Sequence, residues 1–278
     1  MGTATSSTSC TLTIADLPLT ISADAALIAA LLKRYAAFLQ PDQPAASDQR
    51  VAFNARIERV GYTPRATDDR PLVFHASSAH FTAPDYSGDI DLAQQRAVLT
   101  LNSAAPVEDA DYFIRTIYAL RLFEAGGLLF HAAGLVRHER GYLFFGHSGS
   151  GKTTVSRLSP EASVLNDDLI ALLPDAGQWH MHATPFSNPT QVALQHAPTS
   201  PRSAIVSGAY RLIQDQRVYV EELLPALAVA EIVASSPIVC ADPARTLDLI
   251  MRARQLHAAV PIRHLHFLPD DSFWKVVE

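Results

Sequence analysis

Residues 146–153, Gly146-His147-Ser148-Gly149-Ser150-Gly151-Lys152-Thr153, spell a complete G-x-x-x-x-G-K-[ST] phosphate-binding loop, and Thr154 follows it. Such a loop works only between a strand end and a helix start, where successive backbone N–H groups turn inward around phosphate oxygens. Here Gly141 to Phe145 reads as a buried strand, and Thr153 to Leu158 can open a helix. A Gly/Ser-rich connection with a lone lysine would account for the letters but not for both flanks. Gly146, Ser148, Gly149, Ser150, Gly151, Lys152, Thr153 and Thr154 are therefore the expected nucleotide contacts. Lys152 would reach the β- and γ-phosphates and the Thr153 hydroxyl a magnesium ion, so ATP and Mg²⁺ are the cofactors implied.

A second element lies fifteen residues beyond Lys152, in Val164-Leu165-Asn166-Asp167-Asp168-Leu169. Mg²⁺ is a hard cation that takes oxygen ligands, usually one or two carboxylates with phosphates and waters. Neighbouring residues of an extended strand point to opposite faces, so one acid can hold the metal while the other faces a nucleophile. Asp168 is expected with Thr153 at the metal, and Asp167 as the base that takes a substrate hydroxyl proton during in-line attack. A polar turn between two strands is the alternative reading of the pair. The third candidate is His131, in Leu128-Leu129-Phe130-His131, on the strand before the loop strand. A buried imidazole there could support the metal or the acid pair, or be a core histidine satisfied by backbone.

The elements that must position these residues follow from hydrophobic period and turn chemistry. Met1 to Ser9 is small and polar, with neither a basic nor an apolar run, and reads as a tail rather than a signal peptide. Thr11–Ile21 alternates as a strand, 25–39 has helical spacing with Leu27, Leu31, Leu32 and Tyr35 on one side, and Pro41–Gln49 is a loop. Strands follow at Val51–Val60, Leu72–His75 and Ala97–Leu101. A helix capped by Asp109 or Asp111 runs to Glu124, with Ile114, Ile117, Tyr118 and Leu122 inward, and Gly126-Gly127 stops it. Strands at 128–136, 142–145, 163–165, 169–173, 179–183, 204–213 and 262–267 complete the pattern. Helices are expected at 223–234 and 244–258, Pro185, Pro189, Pro198 and Pro201 mark an irregular connection, and Leu223–Val233 reads as core. The result is an α/β chain with an N-terminal α/β region over 1–105 and a nucleotide-binding catalytic domain over 106–278. A strand pair before the loop and strand–turn–strand elements after it predict a mixed, largely antiparallel sheet.

Bulk properties exclude several classes. The 278 residues are 48 % hydrophobic with a formal net charge of −6, and the 22 Lys and Arg are scattered, so no nucleic-acid surface is expected. Leu223–Val233 is too short to span a bilayer, and Cys10 and Cys240 match no metal or redox spacing. A soluble, cytoplasmic protein is expected, with no membrane partner.

His131, the loop Gly146 to Thr154 and Asn166-Asp167-Asp168, in that order, resemble the HPr kinase/phosphorylase and phosphoenolpyruvate carboxykinase superfamily of P-loop proteins. The likeness covers roughly residues 109–190. It implies a phosphoenolpyruvate-carboxykinase/HPr-kinase-type P-loop domain, with the first acid as base and with the histidine and second acid near the metal. Leu265-His266-Phe267, Asp271-Ser272-Phe273-Trp274 and Thr184-Pro185-Phe186 are similar to the short HPr-kinase-like bacterial proteins. No counterpart of the glycine-rich segment with which HPr kinases grip HPr is evident, so HPr as acceptor and the reverse phosphorylase reaction stay open. HPr kinases form hexamers, which leaves homo-oligomerisation open as well.

The expectation is a kinase acting on a serine or threonine hydroxyl of a small protein or peptide, with Lys152, Asp167 and His131 at the chemistry. A nucleotide-binding scaffold without catalysis and a kinase of a small metabolite are the alternatives. His180 and His182 share one strand face and Arg202 could swing onto a phosphoryl group, although exposed positions explain all three.

Overall fold

The computed structural model describes residues 7–40, 53–60, 72–83, 86–102, 105–186 and 202–277. The first six residues of the expected tail, the loop at Pro41–Gln49 and Pro189, Pro198 and Pro201 lie outside the described residues. The chain divides into two compact units, Met1–Arg121 and Leu122–Glu278.

In the first unit, β1 (Ser7–Ile14) and β2 (Leu17–Asp24) form a hairpin about Ala15-Asp16, both at positive φ. The single strand expected over Thr11–Ile21 is thus two, because the turn carries no Gly or Asn to announce it. Ser7–Ser9 belong to β1 rather than to a tail. The Asp24 carboxylate caps α1 (Ala25–Tyr35), accepting from the Ala26 and Leu27 N–H groups at 3.0 Å each. Leu27, Leu31 and Tyr35 are buried as expected, whereas Leu32 is exposed. Strands β3 (Leu39–Gln40), β4 (Phe53–Arg59), β5 (Leu72–His75), β6 (Ser78–Ala83), β7 (Tyr86–Asp91) and β8 (Arg96–Leu101) complete the sheet. Its order is β3-β1-β2-β4-β8-β7-β6-β5. β6 and β7 are not among the expected strands, because Ser, Gly and Asp dilute their alternation.

Helix α2 begins at Pro106 and runs to Glu124, so Asp109 and Asp111 lie inside it instead of capping it. Proline suits the first helical position, where its missing N–H costs nothing. Asp111 instead accepts from Arg34 Nε at 2.9 Å, Tyr35 OH at 2.6 Å and Arg115 Nε at 2.6 Å.

In the second unit, β9 (Leu128–Arg137) and β10 (Arg140–Phe145) form the hairpin that leads into α3 (Lys152–Arg157). There follow β11 (Ser163–Asn166), β12 (Leu169–Asp175), β13 (Gln178–His182), β14 (Ser203–Gln214), β15 (Tyr219–Glu222), α4 (Pro225–Ala234), α5 (Thr246–Ala259), β16 (Ile262–Phe267) and α6 (Trp274–Val277). The sheet order is β10-β9-β12-β13-β14-β16-β15, with β11 on β9 and an additional β10–β14 pairing. Among the described residues of this sheet, β10/β14 and β14/β16 pair in parallel and the other strand pairs antiparallel, so the sheet is mixed and largely antiparallel, as the hairpin implied.

The core beneath the loop explains the C-terminal aromatic residues. Phe144, at the end of β10, packs edge-on against Phe273 at 5.8 Å and Trp274 at 5.7 Å, and Val155 of α3 joins the same cluster. Each such ring pair contributes about 0.5–1.5 kcal/mol beyond its buried area. Trp274 Nε1–H also donates to Ser159 Oγ at 2.9 Å, tying the chain's end to the residues after α3. The run Leu223–Val233 is only partly core: Ala228 and Ile232 are buried, but Leu224 and Leu227 are exposed. No helix among the described residues is long and apolar enough to cross a membrane.

Candidate functional site

β10 carries the chain through the core to Phe145, and the loop then turns over the start of α3. Gly149 and Gly151 have φ of +80° and +109°, a region that side chains with a Cβ rarely adopt. A Cβ on Gly151 would also stand 2.6 Å from Phe267 Cζ, so both the backbone and the core below demand glycine there. The Lys152 ammonium is buried and donates to Gly146 O at 2.9 Å and His147 O at 3.4 Å. Burial lowers its pKa below the ordinary lysine value, and the charges of Asp168 and Asp167 work against that shift.

The acid pair sits in a turn built by Asn166. Its Oδ1 accepts from Asp168 N at 2.7 Å and Leu169 N at 3.0 Å, while Nδ2 donates to Thr184 O at 2.9 Å. Thr184 Oγ1 returns a bond to Leu169 O at 2.5 Å, and both side chains are buried. This local closure, an Asx-type turn, fixes where each carboxylate points. Replacing Asn166 with Ala leaves two backbone donors and one buried carbonyl without these partners. Asn166→Ala should therefore lower unfolding stability by about 1–3 kcal/mol, measurable by urea denaturation.

The two acids face different neighbours. Asp167 is 3 % exposed and accepts from Thr153 Oγ1 at 3.3 Å. Asp168 borders a cavity of about 330 Å³ together with His131, Lys152, Thr153, Thr154 and Gln214. His131 Nε2 lies 3.2 Å from Asp168 Oδ1, and the histidine side chain is 40 % exposed. His131 is therefore not the buried residue that its strand suggested. It sits where β9 pairs β12, opposite Leu169, with its ring toward Asp168 and the cavity.

Burial raises the Asp167 pKa above its ordinary value, and the Asp168 charge adds to the rise against the Thr153 hydrogen bond. A carboxyl whose folded pKa exceeds its unfolded pKa contributes stability below the unfolded value, and loses it as pH rises through the folded value. Ionisation of Asp167 thus works against the fold. Asp167→Asn should raise the thermal midpoint of the nucleotide-free protein at pH 7. The gain should vanish as pH falls toward the unfolded value of about 3.9.

Gln214, at the end of β14, is a site residue that no motif announced. Its Nε2 donates to Gly149 O at 2.8 Å and it borders the same cavity. It lies far downstream, and only the parallel β10/β14 pairing brings it to the loop. The other candidates stay apart: the rings of His180 and His182 lie 6.5 Å from each other on β13, and neither borders this cavity. Arg202 is exposed, with its carbonyl accepting from Ala183 N at 2.8 Å.

No protein-family profile and no curated protein matches the chain. Among solved structures, the Hpr(Ser) kinase/phosphatase from Coxiella burnetii is similar over 50 % of this chain and 84 % of its own, at 11 % identity and a TM-score of 0.29. That likeness is too loose to carry weight on fold or function, and the site's own residues carry the reading instead.

Proposed function

We propose that the chain is a cytoplasmic, ATP- and Mg²⁺-dependent kinase that phosphorylates a serine or threonine hydroxyl on a peptide or small protein. The observation that carries this reading is the grouping of Lys152, Thr153, Asp168 and His131 about one phosphate-loop cavity, with Asp167 bonded to Thr153 behind it. Thr153 Oγ1 and Asp167 Oδ2, 3.3 Å apart, are the hard oxygen donors that Mg²⁺ prefers, so these residues fit the ion. When bound, Mg²⁺ would neutralise negative charge on the triphosphate.

Two observations favour exchanging the roles expected of the acids. Asp167 is enclosed beside Thr153, the metal-type position, whereas Asp168 reaches the cavity where an acceptor must enter. In the proposed step Asp168 takes the proton of the acceptor hydroxyl, whose oxygen bonds to the γ-phosphorus as the bond to the ADP oxygen breaks. Lys152 holds the charge on the β- and γ-phosphates, and His131 orients the Asp168 carboxylate. The first test is incubation with labelled ATP, Mg²⁺ and cell lysate separated by mass: label in peptide- or protein-sized fractions supports the reading. Label confined to small metabolites would replace it with a metabolite kinase, and absence of transfer would leave a nucleotide-binding scaffold.

A further inference from the structure

Away from the phosphate loop, the edge of the same sheet groups three metal-ligating side chains. Strand period places His264 and His266 on one face of β16, and the antiparallel register sets Glu221 of β15 opposite His264. His264 Nδ1 lies 3.3 Å and His266 Nε2 3.5 Å from Glu221 Oε2, and the three ligand atoms all fall within 4.8 Å of one another. Zinc–nitrogen bonds of about 2.0–2.1 Å at tetrahedral angles separate neighbouring ligand atoms by roughly 3.3–3.5 Å. The two histidine–glutamate separations match that edge.

The surroundings prepare the histidine for a metal. His266 is nearly buried, stacks on Tyr219 with centroids 4.1 Å apart, and its Nδ1 contacts Asp215 Oδ2 at 2.7 Å. An ionised carboxylate only accepts, so Nδ1 carries a proton against Asp215, and Nε2 is the ring nitrogen that faces Glu221. That nitrogen is buried and, among the described residues, meets the Glu221 carboxylate at 3.5 Å rather than at a well-formed hydrogen bond. A carboxylate holding the far nitrogen of a ligating imidazole is the usual outer support of zinc-binding histidines. Glu222, the next residue, is engaged elsewhere, with Arg263 Nε at 2.6 Å.

We propose that Glu221, His264 and His266 bind a divalent transition ion of the zinc class, with Asp215 as the positioning residue for His266. Two imidazoles and one carboxylate suit zinc and disfavour Mg²⁺ and Ca²⁺, which prefer oxygen alone. Three protein ligands leave a fourth position for water or a side chain of a partner. As the ion enters, the proton that His264 Nδ1 shares with Glu221 moves to Nε2, so the imidazole stays neutral. The ion would pin the edge strand β15 to β16, one residue from Phe267, whose ring underlies Gly151. None of this depends on phosphotransfer.

The test is Zn²⁺ titration of the chelator-treated full chain against a chromophoric competitor, with Co²⁺ substitution to report coordination. One Zn²⁺ per chain is expected, with the visible bands of low-coordinate Co²⁺ and little competition from Mg²⁺. Asp215→Asn should weaken Zn²⁺ binding about 10–100-fold, the usual cost of losing an outer partner, and His264→Ala or His266→Ala by more. Glu221→Gln, at an exposed position, tests the carboxylate without disturbing the fold. Asp167→Asn and Lys152→Met should bind Zn²⁺ like the unaltered protein. Equal Zn²⁺ affinity in the unaltered protein, Glu221→Gln and His266→Ala, or loss of binding on Asp167→Asn alone, would overturn the proposal.

Discussion

Asp168→Asn should lower the rate of phosphoryl transfer by about 10²–10⁴-fold, the span typical of losing a general base, while MgATP still binds. The asparagine keeps the shape of the side chain that borders the cavity beside His131 but cannot take a proton. Single-turnover kinetics separate this from a binding defect, since the lost step is chemistry. Asp167→Asn makes the contrast. Its carboxylate lies against Thr153, so its loss should appear first as weaker Mg²⁺ dependence of nucleotide binding. If Asp167→Asn abolishes transfer with Mg²⁺ dependence intact, and Asp168→Asn transfers normally, the order of roles implied by the family resemblance is right and the exchange is wrong.

Lys152→Met should weaken MgATP binding by roughly 10–100-fold, because hydrogen bonds to charged groups contribute about 1.5–3 kcal/mol each. Transfer should fall further, by about 10²–10³-fold, the scale seen when one donor to a developing charge is removed. The fold should not suffer. A lysine whose pKa is lowered by burial is penalised in its charged form, so its contribution to stability is lost as pH falls below its unfolded value. At pH 7 the nucleotide-free Met variant should therefore melt no lower than the unaltered protein. A lowered midpoint would mean that the bonds to Gly146 O and His147 O hold the loop together.

Much of the candidate site is legible in the sequence because its letters carry mechanism. The loop needs glycine at positive φ, lysine and a hydroxyl at set spacing, and these stand in one continuous run. The antiparallel setting was legible from the hairpin β9/β10, whose polar turn is short and obvious. The orientation of Asp167 and Asp168 was not. It depends on the Asn166 amide reaching Thr184, a partner 18 residues away whose place no local pattern sets. Gln214 was hidden for the same reason, since its role comes from a strand pairing and not from a motif. In the first unit, β6 and β7 are not legible in the sequence because partners on either side stabilise runs that are weak strand formers alone. The Glu221–His264–His266 group needed β15, an edge strand of four residues that periodicity does not resolve.

The fate of the γ-phosphate decides whether this chain is a kinase. The protein is incubated with γ-labelled ATP, Mg²⁺ and a peptide- and protein-sized lysate fraction, and the labelled amino acid is identified after acid hydrolysis. Label on serine or threonine, abolished by Asp168→Asn, is the result expected. Label recovered only as inorganic phosphate or unreacted ATP, equally with both proteins, would contradict a kinase at this site.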